Sequence, residues 1–438
     1  METDPLHSVV REVAVCNPHG GVMRIRLLIV TVILSSIGSG LLTLLMPHEA
    51  EAIPAFSRQT GQSCSTCHVA FPKLNQTGQN FRTNGFRFPE DEEWPEVQDM
   101  KHVPLSFEVE VEAEFNKDRG VGAGGQETLL KIDEVELLAG APIGKEGRFS
   151  GYGVLSFAES NVAVGQAYGQ VNDLVGQKGH GLLNAKLGQF DIALPFLSST
   201  QRVIKQRYFA QEAIGVLGAR GDGGSTESEA VEYYNTGVEL NGQVVSKEAG
   251  GITHRYAIGM FQPKSLGGIN HLGFPGLYAT YSIQFLERFT LGAIYKRDVV
   301  NSALDPFVAN GKKGVDKWGI AGEVKLGPFI ATAGYFRSDG LPETGNGTLT
   351  NATHNRALQN YMAEILFIPH KKVVLGGRFD HIDQELAQSS SRTTFMGRYY
   401  IVPSVYLQGE WRVHDGGSVA GTPAQDSFGA RGFLVAAF

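Results

Sequence analysis

Leu105-Ser106-Phe107-Glu108-Val109-Glu110-Val111-Glu112-Ala113-Glu114-Phe115 is the stretch that decides the fold. Apolar and polar residues alternate strictly along it. A strand points successive side chains to opposite faces, so a period of two gives one apolar and one acidic face. Less strict versions of the pattern recur at 128–141, 147–158, 181–192, 230–242, 253–262, 275–285, 287–297, 316–325, 328–337, 359–367, 371–380, 393–401, 403–413 and 429–438. No 34- or 40-residue repeat points to a solenoid or propeller array.

Two architectures accommodate many strands of this length: a soluble sandwich or propeller, and a membrane barrel with an apolar exterior and a polar lumen. Three features favour the barrel. Short turns, such as Pro142 to Gly147, are mixed with long polar, glycine-rich connections at 219–229, 301–314, 338–356 and 414–427. Tyr233, Tyr234, Tyr399 and Tyr400 are positioned to join interfacial aromatic girdles. The chain ends on a strand whose Leu434, Ala436 and terminal Phe438 share one face. The expected fold is therefore all-β: an outer-membrane antiparallel β-barrel of about 16 strands over residues 104–438, preceded by a short, mostly helical segment.

Upstream stands Cys64-Ser65-Thr66-Cys67-His68. C-x-x-C-H is the attachment signal of a c-type haem. Each thiol adds across a haem vinyl group to make a thioether, and the adjacent His68 supplies the proximal iron ligand. C-x-x-C alone also serves half a zinc site or a redox dithiol. Zinc needs further ligands at the right spacing, and the only other cysteine is Cys16. A redox dithiol needs a surrounding βαβ pattern, which this sequence lacks.

Leu27 to Met46 is apolar, follows Arg24 and Arg26, and leads to Ala50-Glu51-Ala52. Basic start, apolar middle and A-x-A exit describe a secretory signal peptide over residues 1–52, with Met23 a possible true start. Cleavage after Ala52 would remove Cys16. Residues 53–103 then form a monohaem segment, with a helix expected from Pro72 to Asn84 and Gly85 ending it. Phe71, Phe81, Phe86 and Phe88 are candidates to cover the porphyrin, and Lys73, Arg82 and Arg87 to pair its propionates. About 50 residues bury little on their own, so a haem there needs shelter from the barrel.

The formal charge of −7 over 438 residues argues against a nucleic-acid partner. A mean hydropathy of −0.11 excludes a multi-helix membrane protein.

Ile53 to Phe56, Arg58-Gln59-Thr60-Gly61, Cys64, Cys67, His68, Phe71 and Pro72, followed by a barrel-like chain, resemble the outer-membrane monohaem cytochrome–porin fusions. That family includes ferrous-iron oxidases of iron-oxidising bacteria. The likeness is one of motif over these residues and of architecture and length elsewhere. It implies one covalently bound c-type haem, Fe²⁺ as extracellular electron donor and a periplasmic carrier, a cytochrome or copper protein, as acceptor. Whether the chain is an enzyme in this sense stays open, because the resemblance supports the machine more than its substrate.

A sixth haem ligand is not identified by spacing. Met100 and His102 lie closest downstream, and His254 or His381 could reach inward from barrel strands. Glu108, Glu110, Glu112 and Glu114 offer hard carboxylate oxygens that could attract Fe²⁺, or simply the charge common in porin lumens, and Glu134 and Glu136 extend the acidic face. Alternative functions are a solute porin plugged by its haem segment, a redox sensor, electron transfer from another extracellular donor, and a soluble periplasmic cytochrome with a β-rich partner domain.

Overall fold

A computed structural model describes residues 55–89, 104–118, 126–158, 161–211, 234–246, 251–262, 276–301, 312–341, 356–384, 389–415 and 427–438. All of them belong to one compact unit, Ala52–Phe438. The expected signal peptide, Ile53, Tyr233, Met100 and His102 lie outside the described residues.

The N-terminal segment comprises helix α1 (Ala55–Thr60), helix α2 (Cys64–Cys67), the small hairpin β1 (His68–Ala70) and β2 (Lys73–Leu74), and helix α3 (Gln76–Thr83). Sixteen strands follow: β3 (Leu105–Asp118), β4 (Gln126–Ile143), β5 (Phe149–Ala158), β6 (Asn161–Val175), β7 (Leu183–Asp191), β8 (Tyr234–Ser246), β9 (Ile252–Phe261), β10 (Gly276–Phe285), β11 (Phe289–Asn301), β12 (Lys312–Leu326), β13 (Phe329–Leu341), β14 (Arg356–His370), β15 (Val373–Gln384), β16 (Ser390–Val402), β17 (Val405–Asp415) and β18 (Ser427–Ala437). Each pairs antiparallel with its sequence neighbours, and β18 returns to β3 through Leu434↔Val111 and Phe433↔Glu112. Closure leaves no unpaired edge, which a chain in hydrocarbon requires.

The alternation read at Leu105–Phe115 sets which side faces what. Leu105 and Phe107 are exposed outward, while Glu110 and Glu112 are buried toward the lumen. Other strands expose Leu187, Ile258, Leu291, Ile320, Ile365, Phe395 and Trp411. That apolar surface is the lipid face.

Aromatics mark its two margins. Phe285 stacks on Phe289 and Phe329 on Phe367 beside the short turns. Toward the long connections, Trp318, Tyr335 and Tyr361 form a second belt with ring centroids 5.4 and 5.1 Å apart. The tyrosine pair expected at 399–400 splits across the wall: Tyr399 is exposed and Tyr400 buried inside, because neighbours on a strand face opposite ways. Strand β6 was not among the expected strands. A shift in its pairing with β5 and the small outward Ala167 and Gly169 blur its period.

Turns between β10 and β11, β12 and β13, β14 and β15, and β16 and β17 are only two or three residues long. Short turns mark the periplasmic end of such barrels. Leu105 and Phe438 share that end, joined by Phe107 N–H to the Phe438 carbonyl at 3.1 Å.

Two pieces of the chain enter the lumen, from opposite ends. The N-terminal segment anchors at the short-turn end, where Ala55 N–H donates to Ser106 Oγ at 2.7 Å and Arg58 to the Leu105 carbonyl. From the other end, the connection after β7 folds back inside through three short helical turns, Pro195–Leu197, Ser199–Gln201 and Phe209–Gln211. Two apolar clusters weld these pieces to the wall. One joins Phe81 and Phe86 to Phe190, Leu194, Phe196 and Tyr278; the other joins Ala70 to Val203, Ile204, Leu366, Tyr400 and Tyr406.

Candidate functional site

Cys64 and Cys67 lie one helical turn apart on α2, both half-buried with free thiols. Burial pushes both thiols above their ordinary pKa, so they are protonated near neutral pH. His68 follows directly, as the residue capping that helix.

The His68 ring is fixed by one bond: Nδ1 lies 3.1 Å from the Pro72 carbonyl oxygen. A carbonyl can only accept, so Nδ1 carries the proton and Nε2 keeps its lone pair. Burial pushes the His68 pKa down to about 4, against the smaller opposing effect of that carbonyl, so the imidazole is neutral. A neutral imidazole whose second nitrogen is tied to a carbonyl is the arrangement a metal-bound histidine adopts. Two thiols one helical turn apart, with this histidine as the next residue, therefore fit a covalently held haem. Phe71 packs 5.3 Å from the His68 ring.

Local sequence explains why the hairpin and α3 close around the motif. The expected helix start at Pro72 is corrected: Pro72 follows a cis peptide at the hairpin turn, and Lys73 and Leu74 pair back on β1. Asn75 caps α3 instead, its Oδ1 accepting from Gly78 N–H at 3.0 Å. Asn75 also donates from its backbone to the Cys67 carbonyl at 2.9 Å and from Nδ2 to the Thr66 carbonyl at 2.9 Å. Gly78 permits the approach, since a Cβ there would collide with the Cys67 carbonyl oxygen. Gly85 ends the helix at φ +65°, as expected.

The cations proposed for propionates have other partners. Lys73 reaches Glu323 at 2.6 Å, both side chains at most 3% exposed, and Lys325 approaches the same carboxylate at 3.2 Å. Arg87 pairs with Asp173 at 2.7 Å, and Arg82 donates to Ser198, Thr200 and Gln166. These bonds seat the segment in the barrel. Phe81, Phe86 and Phe88 likewise cluster with one another, Phe56 and Tyr152, leaving Phe71 alone of the four beside His68.

Neither barrel histidine reaches inward. His254 bonds the exposed Tyr281 hydroxyl at 2.6 Å, while its neighbours Thr253 and Arg255 are the buried, lumenal ones. His381 bonds Ser391 and stacks on Phe379 outside, whereas Asp380 and Ile382 face in. Strand parity puts both histidines on the lipid side.

The glutamate face is lumenal and partly compensated. Lys205, from the folded-in connection, pairs with Glu110 and lies 3.6 Å from Glu108. Lys131 and Arg431 flank Glu112 at 3.4 and 3.1 Å, and Arg412 and Arg431 flank Glu114 at 3.3 and 3.2 Å. Glu108 stands opposite Glu136, and Glu110 opposite Glu134. Like charges facing across a strand pair repel, and Lys205 pairs with Glu110 and approaches Glu108. No group of three or more His, Cys, Asp or Glu suited to hold a metal ion occurs among the described residues.

Sequence reasoning missed Glu323 as the Lys73 partner, and Arg398 and Tyr400 beside Phe71. Arg398 Nη1 and the Tyr400 hydroxyl both donate to the Phe71 carbonyl, the latter at 2.7 Å. Parity on β16 could have turned these two residues inward, but nothing local says which carbonyl they meet.

No family model matches the chain, and no curated protein matches it. Among solved structures it is similar to the outer-membrane channel DcaP of Acinetobacter baumannii (TM-score 0.52, 12% identity, 76% of this chain and 96% of that one). The anion-selective porin from Comamonas acidovorans gives 0.52 at 9% identity, over 76% and 99% of the two chains. OmpF of Salmonella typhi gives 0.54 at 10% identity, over 76% and 97%. Identities this low speak to fold alone. The chain has the fold of a porin-like, 16-stranded antiparallel barrel.

Proposed function

We propose that the barrel carries one c-type haem on Cys64 and Cys67, with His68 as proximal ligand, and passes electrons from extracellular Fe²⁺ to a soluble periplasmic carrier. The observation that carries this reading is the His68 Nδ1 to Pro72 carbonyl bond beside two free thiols. When bound, the haem supplies a one-electron iron couple. Each Fe²⁺ oxidised to Fe³⁺ releases one electron, and one carrier is reduced by one electron.

The chain's own residues do the rest. The segment and the folded-in connection fill a lumen that would otherwise conduct solutes, which favours an electron path over a diffusion pore. The Glu108, Glu110, Glu134 and Glu136 quartet attracts a divalent cation without chelating it. At the short-turn end Lys145, Arg148, Lys178, Arg288 and Lys371 are exposed against Glu146 and Glu287, which presents a cationic rim to a soluble partner.

The test uses proteoliposomes with soluble cytochrome c trapped inside and Fe²⁺ added outside. Reduction of the trapped cytochrome is expected with the intact chain and lost in Cys64→Ala/Cys67→Ala. Equal reduction in both would refute the proposal.

A further inference from the structure

The second strand of contacts at the site runs through the barrel wall. Arg398, on β16 and buried, is a three-way junction. Its Nη1 donates to the Phe71 carbonyl of the N-terminal hairpin, its Nη2 to the Val203 carbonyl of the folded-in connection at 2.5 Å, and its Nε to Gln408 Oε1 on β17 at 2.5 Å. The guanidinium plane rests 4.0 Å over the Tyr406 ring. Tyr400, two residues along, donates to the same Phe71 carbonyl at 2.7 Å and receives Arg398 Nη1 on its hydroxyl at 3.0 Å.

That carbonyl belongs to the Phe71–Pro72 peptide. The next carbonyl along the chain, of Pro72, is the one that accepts from His68 Nδ1. Two donors from a rigid strand therefore hold the turn that holds the histidine. The strand is rigid because β16 is laddered on both sides over ten or more residue pairs. The position of the Pro72 oxygen sets both the rotation of the imidazole and the electron density at Nε2, as partners outside a metal's immediate ligands do.

We infer that Arg398 and Tyr400 are positioning residues for the His68 ligand: the barrel wall, through the Phe71–Pro72 turn, fixes the tautomer and orientation of the imidazole. His68 would be a ligand to the iron of the proposed haem, so the inference rests on the proposed function. It adds to it that the barrel does more than enclose the haem segment. Loosening the turn weakens the Nδ1–H bond, makes the imidazole a poorer electron donor and raises the reduction potential.

Tyr400→Phe removes one hydroxyl and keeps the ring on Tyr406. Arg398→Lys keeps the charge but cannot span the Phe71 and Val203 carbonyls together, because an ammonium lacks the planar fork. Tyr256→Phe is the control, since Tyr256 likewise donates its hydroxyl to a carbonyl, that of Leu182, on another part of the wall.

Two readouts are taken on full-length, detergent-solubilised protein whose barrel is verified by heat-modifiable gel mobility. In haem-free chain labelled with ¹⁵N-histidine, His68 should show a single Nδ1–H tautomer in the parent and in Tyr256→Phe, and a mixture of both tautomers in Tyr400→Phe and Arg398→Lys. In haem-bearing chain the midpoint potential should rise in the latter two and stay put in the control. An unchanged tautomer and potential in both wall variants would overturn the inference while leaving the haem reading intact. Absence of any haem would overturn the proposed function, and the tautomer measurement would still decide the role of the wall.

Discussion

Glu323→Gln should unseat the N-terminal segment while the barrel stays closed. Lys73 is 3% exposed in its side chain and reaches Glu323 at 2.6 Å, so the variant takes the close partner from a buried ammonium and leaves Glu364 as the nearby carboxylate. Removing one partner of a buried ion pair costs about 3–5 kcal/mol, because the remaining charge keeps its desolvation penalty. Lys73→Met should cost less, since Glu323 retains Lys325 at 3.2 Å. Lys73→Met/Glu323→Gln should recover most of the loss, because the fully buried ammonium is gone and Lys325, which also loses Glu323, is 16% exposed in its side chain. A tenfold change in the seated population is about 1.4 kcal/mol, so Glu323→Gln lowers that ratio roughly a hundredfold or more.

Hydrogen exchange reads this directly. The amides of Asn75, Gln79, Asn84 and Phe86 bond to carbonyls within the segment, and their protection reports local opening. They should exchange roughly a hundredfold faster in Glu323→Gln, less so in Lys73→Met, and close to the parent rate in the double variant. Amides of β10 to β14 should keep their protection throughout. Equal loss in the two single variants, or loss spread over the barrel strands, would refute the reasoning.

Other consequences follow from the same contacts. The intact chain in planar bilayers should show far smaller single-channel conductance than an open barrel of equal strand number, because two apolar clusters occupy the lumen; a fully open channel would contradict the filled interior. Glu134→Gln/Glu136→Gln should raise the Fe²⁺ concentration needed for half-maximal haem reduction, checked by stopped-flow absorbance; no change would remove the glutamate quartet from the account. Reoxidation of the reduced chain by ferricyanide should slow with rising salt, and reoxidation by hexaammineruthenium(III) should speed up, as a cationic rim demands. Lys145→Glu/Arg148→Glu/Lys371→Glu should reverse both trends.

Much of the barrel was legible because lipid on one side and a polar lumen on the other impose a period of two that survives in strands such as β3. It faded in β6, where a pairing irregularity shifts parity and glycine and alanine replace bulky outward residues. The fold-back after β7 left a weaker trace: Leu194, Phe196, Leu197, Val203, Ile204, Tyr208 and Phe209 are apolar residues outside any strand, separated by polar stretches, and the structure buries all seven. At the site, the C-x-x-C-H residues were legible because they are neighbours in the chain, and the haem proposed for them would be held by that local spacing. Arg398, Tyr400 and Glu323 were not, because they reach the motif across hundreds of residues and only closure of the barrel brings them there. His254 and His381 failed as inward ligands for a simple reason: strand parity, once its register is known, turns them to the lipid.

The visible spectrum of the purified chain, native and heat-denatured, before and after addition of Fe²⁺, reads haem attachment and electron donor together. Haem absorbance should survive denaturation, disappear in Cys64→Ala/Cys67→Ala, and in the native chain shift from the oxidised to the reduced form on adding Fe²⁺. A chain that folds into its barrel, is produced alongside a working haem-attachment system, and carries no covalent haem would contradict the proposed function.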